Sequence, residues 1–251
     1  MTNKKIYIVS DAHLGIGSKF SSEFRENLLI KWLDEIKCDA EEIIFAGDIF
    51  DFWFEYKYLV PKGFFKFFTK VRELSDRGIK ISFFKGNHDM WTFGYLKEVM
   101  NAEIIDNYKI FERNGKKFFI AHGDGLGPYD IKYNFLKMIF RSTFFQCLFR
   151  FVHPSISFRI ATVWSSNSRK YHKFPKVVDY EKEWLVKYAR RMLRKQHIDF
   201  FIFGHRHIPF QYKLSENSLF TNIGDWLFNF SYVVIDDKNV ELKKFIYNEE
   251  N

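Results

Sequence analysis

The chain is poor in residues that would tie it together covalently or divide it into pieces. Only two cysteines, Cys38 and Cys147, occur among 251 residues. They sit in unrelated apolar contexts, and neither has the partner spacing of a zinc site or a disulfide framework, so a reducing compartment is the natural setting. Five prolines and 13 glycines form no linker, and no repeat or low-complexity tract interrupts the sequence. A single domain over 1–251 is therefore expected, long enough for a substantial core. No stretch offers the roughly 20 mostly apolar residues of a spanning helix. Even the most apolar segment, 128–176, carries Lys132, Lys137, Arg141, Arg150 and Arg159. Met1 to Lys5 lead straight into a strand with no apolar signal core, which predicts a cytoplasmic protein.

Positive charge and phenylalanine are present in excess. The formal charge of +8 and isoelectric point near 9.2 favour phosphate groups, nucleic acid or an anionic membrane surface as partners. The lysines and arginines are dispersed and accompany no groove-reading motif, which argues against nucleic acid. With 32 phenylalanines, the chain holds more aromatic surface than a compact core requires. Some of it is expected to face something apolar outside.

Potential chemistry gathers at five strand ends. Phe45 and Ala46 lead to Gly47, then Asp48 and Asp51, and a carboxylate at a strand end can hold a cation without being buried among the strand's own side chains. Asp11 and His13 follow Ile6 to Ser10. Gly86, Asn87, His88 and Asp89 follow Ile81 to Lys85. His122, Gly123 and Asp124 follow Phe118 to Ala121, and Gly204, His205, Arg206 and His207 follow Phe200 to Phe203. Imidazole, carboxylate and amide oxygen suit Mn-like and other transition-metal cations. One such residue after a strand reads as an ordinary turn or capped loop. Five strand ends with the same chemistry are hard to explain as core, and seven ligands are enough for two ions.

Between these points the periodicity alternates. Lys5 to Ser10 reads as a strand buried on both sides, Ser21 to Cys38 as a helix through Leu28, Leu29, Trp32, Leu33 and Ile36, and Glu42 to Ala46 as the next strand. Helix Phe64–Leu74 and strand Lys80–Lys85 continue a parallel sheet, whose ligands bind beyond the carboxyl ends of its strands. A helix is expected from about Trp91 to Met100. A hairpin then turns at Asn114-Gly115, and a helix spans about Asp179 to Gln196. Strands Phe200–Phe203, Phe210–Lys213, Ser218–Asn222, Ser231–Ile235 and Val240–Ile246 follow. Two facing sheets with helices outside are the expected result. The segment 128–176 belongs to neither sheet. Phe135, Met138, Ile139, Phe140, Phe144, Phe145, Leu148, Phe149, Phe151 and Val152 make it either an interfacial helical element or an insertion packed on the main body.

Together and in order, the five stretches resemble the calcineurin-like metallophosphoesterase superfamily, from Asp11 to His207. The resemblance implies a four-layer α/β/β/α sandwich with two divalent metal ions, Mn2+ being the expected species. It implies that Asp11, His13 and His207 hold one ion, that Asn87, His122 and His205 hold the other, and that Asp48 bridges them.

Within the superfamily the chain is similar to the family that cleaves the pyrophosphate of UDP-2,3-diacylglucosamine in lipid A synthesis. Asp130, the helical insertion, Asn167-Ser168-Arg169 and Gly224-Asp225-Trp226 carry that similarity. It implies substrate contacts at Asn87, His88, Asp130, Asn167, Ser168, Arg169, Lys173 and His205, and release of UMP. The insertion would be a lid for an acylated UDP-sugar, on a different face from the metals, against the anionic inner membrane. His88 is the candidate acid, with Asp51 orienting its other ring nitrogen. His88 and Asp51 stand where well-known members carry Arg and Glu, a departure that bears on substrate identity more than on chemistry. The alternative is a phosphodiesterase or nucleotide pyrophosphatase with a soluble substrate, which leaves the aromatic insertion without a purpose. A metal-free binding scaffold would have lost ligands, and none is lost.

Overall fold

The computed structural model describes residues 4–127, 131–171, 179–237 and 239–247. The first half runs β1 (Lys5–Val9), α1 (Ser22–Ile36), β2 (Ala40–Phe45), α2 (Phe65–Asp76), β3 (Lys80–Phe84), α3 (Tyr95–Met100), β4 (Glu103–Ile105), β5 (Tyr108–Arg113) and β6 (Lys116–Ala121). Three helices follow, α4 (Ile131–Arg141), α5 (Thr143–Phe149) and α6 (Pro154–Tyr171). The chain then closes with α7 (Trp184–Leu193), β7 (Phe200–Phe203), β8 (Phe210–Ser215), β9 (Ser218–Asn222), β10 (Ser231–Ile235) and β11 (Val240–Lys244).

The strands form two sheets, ordered β11-β10-β1-β2-β3-β4 and β5-β6-β7-β9-β8. The first is parallel from β1 to β4, with antiparallel β10 and β11 on one side; the second has a parallel centre, β6-β7-β9, flanked by antiparallel β5 and β8. Strand alternation sorts the core into layers. Ile6 and Ile8 of β1, with Ile44 and Phe84, meet Phe118, Ile120 and Ile202 between the sheets. Tyr7 and Val9 face the other way, onto Leu29, Trp32 and Leu33 of α1 and Val71 of α2. On the opposite side Phe119, Phe201 and Phe203 pack under Leu185, Val186 and Ala189 of α7. Helices, sheet, sheet and helix make the expected four-layer sandwich.

The Ser21 hydroxyl accepts from the Phe24 N–H and caps α1. The hairpin turns on Asn114 (φ +50°) and Gly115 (φ +74°), the left-handed pair that a type I′ turn needs. Two helices are shorter than their periodicity suggests. α3 starts at Tyr95 rather than Trp91, because the buried Glu55 carboxylate accepts the N–H groups of Phe93, Tyr95 and Leu96 and holds the chain in a turn before them. α7 starts at Trp184 because Glu183, in extended backbone, is committed to Arg206 at 2.8 and 3.2 Å.

The helices α4 to α6 join neither sheet and dock through aromatic side chains. The Phe149 ring lies 4.9 Å from both Phe54 and Trp91, and Phe158 meets Phe52 at 5.0 Å. The Trp91 indole N–H donates to the Phe140 carbonyl at 2.8 Å. Phe135, Met138, Phe144, Phe145, Leu148 and Phe151 remain exposed. One face of the segment therefore packs on the main body, while another is left bare. Among the described residues no helix is long and apolar enough to cross a membrane.

Candidate metal centre

The carboxyl ends of β1, β2 and β3 in one sheet and of β6, β7 and β9 in the other open onto the same edge, so their loops meet there. Backbone bonds lock the first two loops together: Asp11 N–H donates to the Gly47 carbonyl (3.1 Å), His13 N–H to Asp48 (3.0 Å) and Leu14 N–H to Ile49 (2.8 Å). Asp11, His13, Asp48, His205 and His207 all have φ between +44° and +67°. Left-handed backbone is uncommon for non-glycine residues and persists only where the surroundings over-determine it, which concentrates such residues at functional sites. Glycine permits the approach: a Cβ on Gly86 would come 2.1 Å from Asp48 Oδ1, and one on Gly47 2.5 Å from His122 Nδ1.

The side chains converge in two groups. Asp11, His13 and His207 bring ligand atoms within 4.8 Å of one another, as do Asp48, His122 and His205. His207 Nε2 lies 3.2 Å from Asp11 Oδ1 and 3.4 Å from His13 Nε2. On the other side, His122 Nε2 lies 3.3 Å from Asp48 Oδ2 and 3.4 Å from Asn87 Oδ1. Asp48 Oδ2 is also 3.9 Å from His13 Nε2, so this one carboxylate oxygen reaches toward both groups.

Several contacts aim these ligands. His122 Nδ1 is held by the Ala46 carbonyl at 2.9 Å, across the gap between sheets. His207 Nδ1 is 3.3 Å from Asp225 Oδ2. Asp51 supports two rings: its carboxylate lies 3.1 Å from His13 Nδ1, and its carbonyl accepts from His88 Nδ1 at 2.7 Å. The expected carboxylate contact to His88 is longer, 3.8 Å, because His13 occupies the nearer position. The His88 N–H donates to Asp48 Oδ1 at 2.8 Å, which leaves Asp48 Oδ2 for the cluster.

Three supporting residues carry roles that motif reading did not assign. Asp89 accepts the backbone N–H groups of Gly86 (2.7 Å) and Ile49 (2.8 Å) and so joins two ligand loops. Asp225 anchors His207 and lies inside the Gly224-Asp225-Trp226 stretch. Arg25, fully buried, donates to the carbonyls of Ala12 (3.2 Å), His13 (2.8 Å) and Ile16 (2.7 Å) and shapes the loop that carries His13. Its one sequence signal is its position in line with Leu28, Leu29 and Trp32 on the apolar stripe of α1.

Electrostatics favours a cation. Burial opposes the charge of Asp48, but His122, His88 and His13 around it hold its carboxyl well below the usual range. Burial likewise lowers His122, yet the Asp48 charge and hydrogen bond, with Asp11 and Asp124, overcome it and raise the imidazole to about 10. His205 goes the other way, to about 3, through burial and then the neighbouring His122. Asp89, buried and close to the Asp48 charge, is pushed up to about 7. A proton on His122 thus does part of what a metal would do. Asp11 Oδ2 already accepts from Ser10 Oγ (2.5 Å) and His205 N–H (2.9 Å), whereas buried Oδ1 has no hydrogen-bond partner. An oxygen left without a hydrogen bond, facing two imidazole nitrogens, suits a divalent cation.

The profile of the calcineurin-like phosphoesterase family matches residues 4–209. The chain belongs to this family. It is a metal-dependent phosphoester hydrolase, and its ligand clusters suit divalent metal ions. A protein of Porphyromonas gingivalis named UDP-2,3-diacylglucosamine hydrolase is 37% identical over 253 residues, 95% of this chain and 97% of that one. Proteins of the same name from Histophilus somni (strain 129Pt) and Aliivibrio fischeri (strain MJ11) are each 26% identical. The first match covers 89% of this chain and 92% of its relative, the second 95% and 98%.

The structure brings Asp11, His13, Asp48, Asn87, His122, His205 and His207 together, with Asp51 and His88 beside them. Asn167, Ser168 and Arg169 fall in the last turns of α6, with their side chains outside the described residues, as Asp130 and Lys173 are altogether. One expectation changes. The insertion does not lie on a different face from the metal cluster: Lys137 of α4 pairs with Asp124 Oδ2 at 2.5 Å, two residues from His122. Asp124 is buried, so this charge needs a partner there, and α4 is drawn in to supply it.

Proposed function

We propose that the chain hydrolyses the pyrophosphate of UDP-2,3-diacylglucosamine to UMP and 2,3-diacylglucosamine 1-phosphate. Two divalent ions, Mn2+ in the cell, would be held by Asp11, His13 and His207 and by Asn87, His122 and His205, with Asp48 between them. The observation that carries this reading is the Lys137–Asp124 pair, which sets an apolar helical insertion against a ligand cluster of phosphoesterase type. Such ions supply Lewis acidity toward the phosphoryl oxygens and the attacking water. Water adds to the phosphorus nearest uridine, and its bond to the bridging oxygen breaks. His88, its Nδ1–H held by the Asp51 carbonyl, would act in its imidazolium form, the Nε2 proton passing to the leaving oxygen as the phosphorus–oxygen bond breaks. Asn87, His88, Asp130, Asn167, Ser168, Arg169, Lys173 and His205 would bind the polar part of the substrate.

The acyl chains explain the remainder. Residues 128–176 act as a lid within one domain over 1–251. A cavity of about 190 Å³ lined by Trp91, Ile139, Phe140, Phe145, Leu148 and Phe149 suits part of a chain, at about 0.8 kcal/mol for each methylene buried. The bare Phe135, Phe144 and Phe151 would meet the anionic inner-membrane surface, making this a peripheral protein on its cytoplasmic side.

The test offers purified protein with Mn2+ the UDP-diacyl sugar beside bis-p-nitrophenyl phosphate and cyclic nucleotides. Strong preference for the acylated substrate is expected. Equal or better turnover of the soluble compounds would replace this reading with a soluble phosphodiesterase.

A further inference from the structure

We infer that the main body carries a lipid-docking element of its own, the stretch 57–66 made of the loop before α2 and the first two residues of that helix, and that its partner is an anionic bilayer surface. The inference rests on the proposed membrane-borne substrate and extends it to a part of the chain outside the insertion.

Three large apolar side chains stand out of this loop, Tyr58 at 83%, Leu59 at 58% and Phe65 at 79% exposure. Scattered single exposures need no explanation, but three within eight residues do. The loop itself is well anchored. Pro61 is buried, the Phe64 ring packs 5.0 Å from Phe50, and the Tyr56 N–H donates to the Leu59 carbonyl at 2.9 Å. The tips project from a fixed base, which makes their exposure a property of the fold.

Charge indicates what covers them. No acidic residue occurs between Glu55 and Glu73, while Lys57, Lys62, Lys66, Lys70 and Arg72 do. Lys70 is paired with Asp34 and Glu73, and Lys66 lies 3.9 Å from Glu23. Lys57 and Lys62 make no ion pair among the described residues, and Lys57 rests over the Tyr58 ring at 4.9 Å. Aromatic and aliphatic tips flanked by available ammonium groups match a headgroup boundary, with apolar groups reaching toward the acyl region and lysines against the phosphates.

The loop also adjoins the insertion. The Tyr56 hydroxyl donates to Ser157 Oγ at 2.9 Å, so the base of the loop abuts α6 beside the exposed Ile156 and Ile160. Two neighbouring contacts, one on each side of this seam, would fix the orientation of the metal centre toward the bilayer.

Co-sedimentation of the Mn2+-loaded protein with phosphatidylglycerol/phosphatidylcholine vesicles tests this. The variants are Tyr58→Ser/Leu59→Ser/Phe65→Ser, Lys57→Glu/Lys62→Glu, and, in the insertion, Phe144→Ser/Phe151→Ser. Each loop variant is expected to bind about 10-fold or more weakly, with unchanged metal content and unchanged hydrolysis of bis-p-nitrophenyl phosphate. The charge variant keeps the test valid if the triple variant folds poorly. Loop variants that bind like wild type while the insertion variant does not would overturn the inference and leave the membrane reading standing. Wild-type protein without affinity for anionic vesicles would overturn both. A loop variant that changes molecular mass in solution but not vesicle binding would assign the loop to a second copy of the chain and overturn the inference.

Discussion

Asp48 is the residue both halves of the cluster depend on, since one of its oxygens faces His13 and His122 while the other is occupied by the His88 N–H. Asp48→Ala is expected to abolish activity and to lose more metal than removal of any other ligand, because two cations would then face each other without a shared anion. Metal content by mass spectrometry checks this, and full occupancy in the variant would refute the bridging role. The same pair predicts a pH effect. An imidazole normally near 6.5 but held at about 10 in the metal-free fold is protonated at pH 8 and must give up that proton to ligate. Metal binding should therefore release a proton at pH 8, and affinity should rise with pH up to about 10. A pH indicator in weak buffer reads the release directly. His88 and Asp51 separate differently. His88→Ala should lower turnover roughly 10²–10⁴-fold with both metals retained. Asp51→Asn, which alters the support of His13, should weaken metal affinity roughly 10–100-fold.

At the scale of elements, α4 to α6 present two unlike faces. Phe140, Phe149 and Phe158 dock the insertion on Trp91, Phe54 and Phe52, so Phe149, though it sits in the same apolar run as Phe144 and Phe145, is a packing residue. Phe144→Ser/Phe145→Ser/Phe151→Ser is expected to raise KM for the acylated substrate with little change toward bis-p-nitrophenyl phosphate, because these exposed groups touch no ligand of the cluster. Steady-state kinetics on both substrates decides it; equal losses would make the insertion ordinary core. The composition of this segment was legible in the sequence, but the division of its phenylalanines was not. Helical spacing identifies a stripe without saying which neighbour covers it.

For the whole molecule, metal is a folding ligand. Buried Asp11, Asp48, His13 and His122 are gathered from both sheets, and ions that bind only this arrangement stabilise it by about 2.7 kcal/mol at 100 times Kd. For a chain of this size that corresponds to a melting temperature roughly 5–10 °C higher. EDTA should lower the midpoint by that amount, Mn2+ should restore it, and Asp48→Ala should abolish the difference, all by scanning calorimetry.

Strand alternation and the short Gly-Asp, Gly-Asn-His-Asp and Gly-His-Arg-His stretches are local, so the order of elements, the layered class and the seven ligand types could be read from the sequence by itself. Helix starts depended on distant groups, as with Glu55 ahead of α3 and Arg206 ahead of α7. The same holds for the details of the site. Asp51 is 38 residues from His13, Asp11 meets a histidine near the far end of the chain, and Lys137 reaches Asp124 only because α4 folds back over β6. No spacing rule encodes such pairings. They follow from two sheets packing face to face so that their carboxyl ends open onto the same edge, which only the tertiary structure decided.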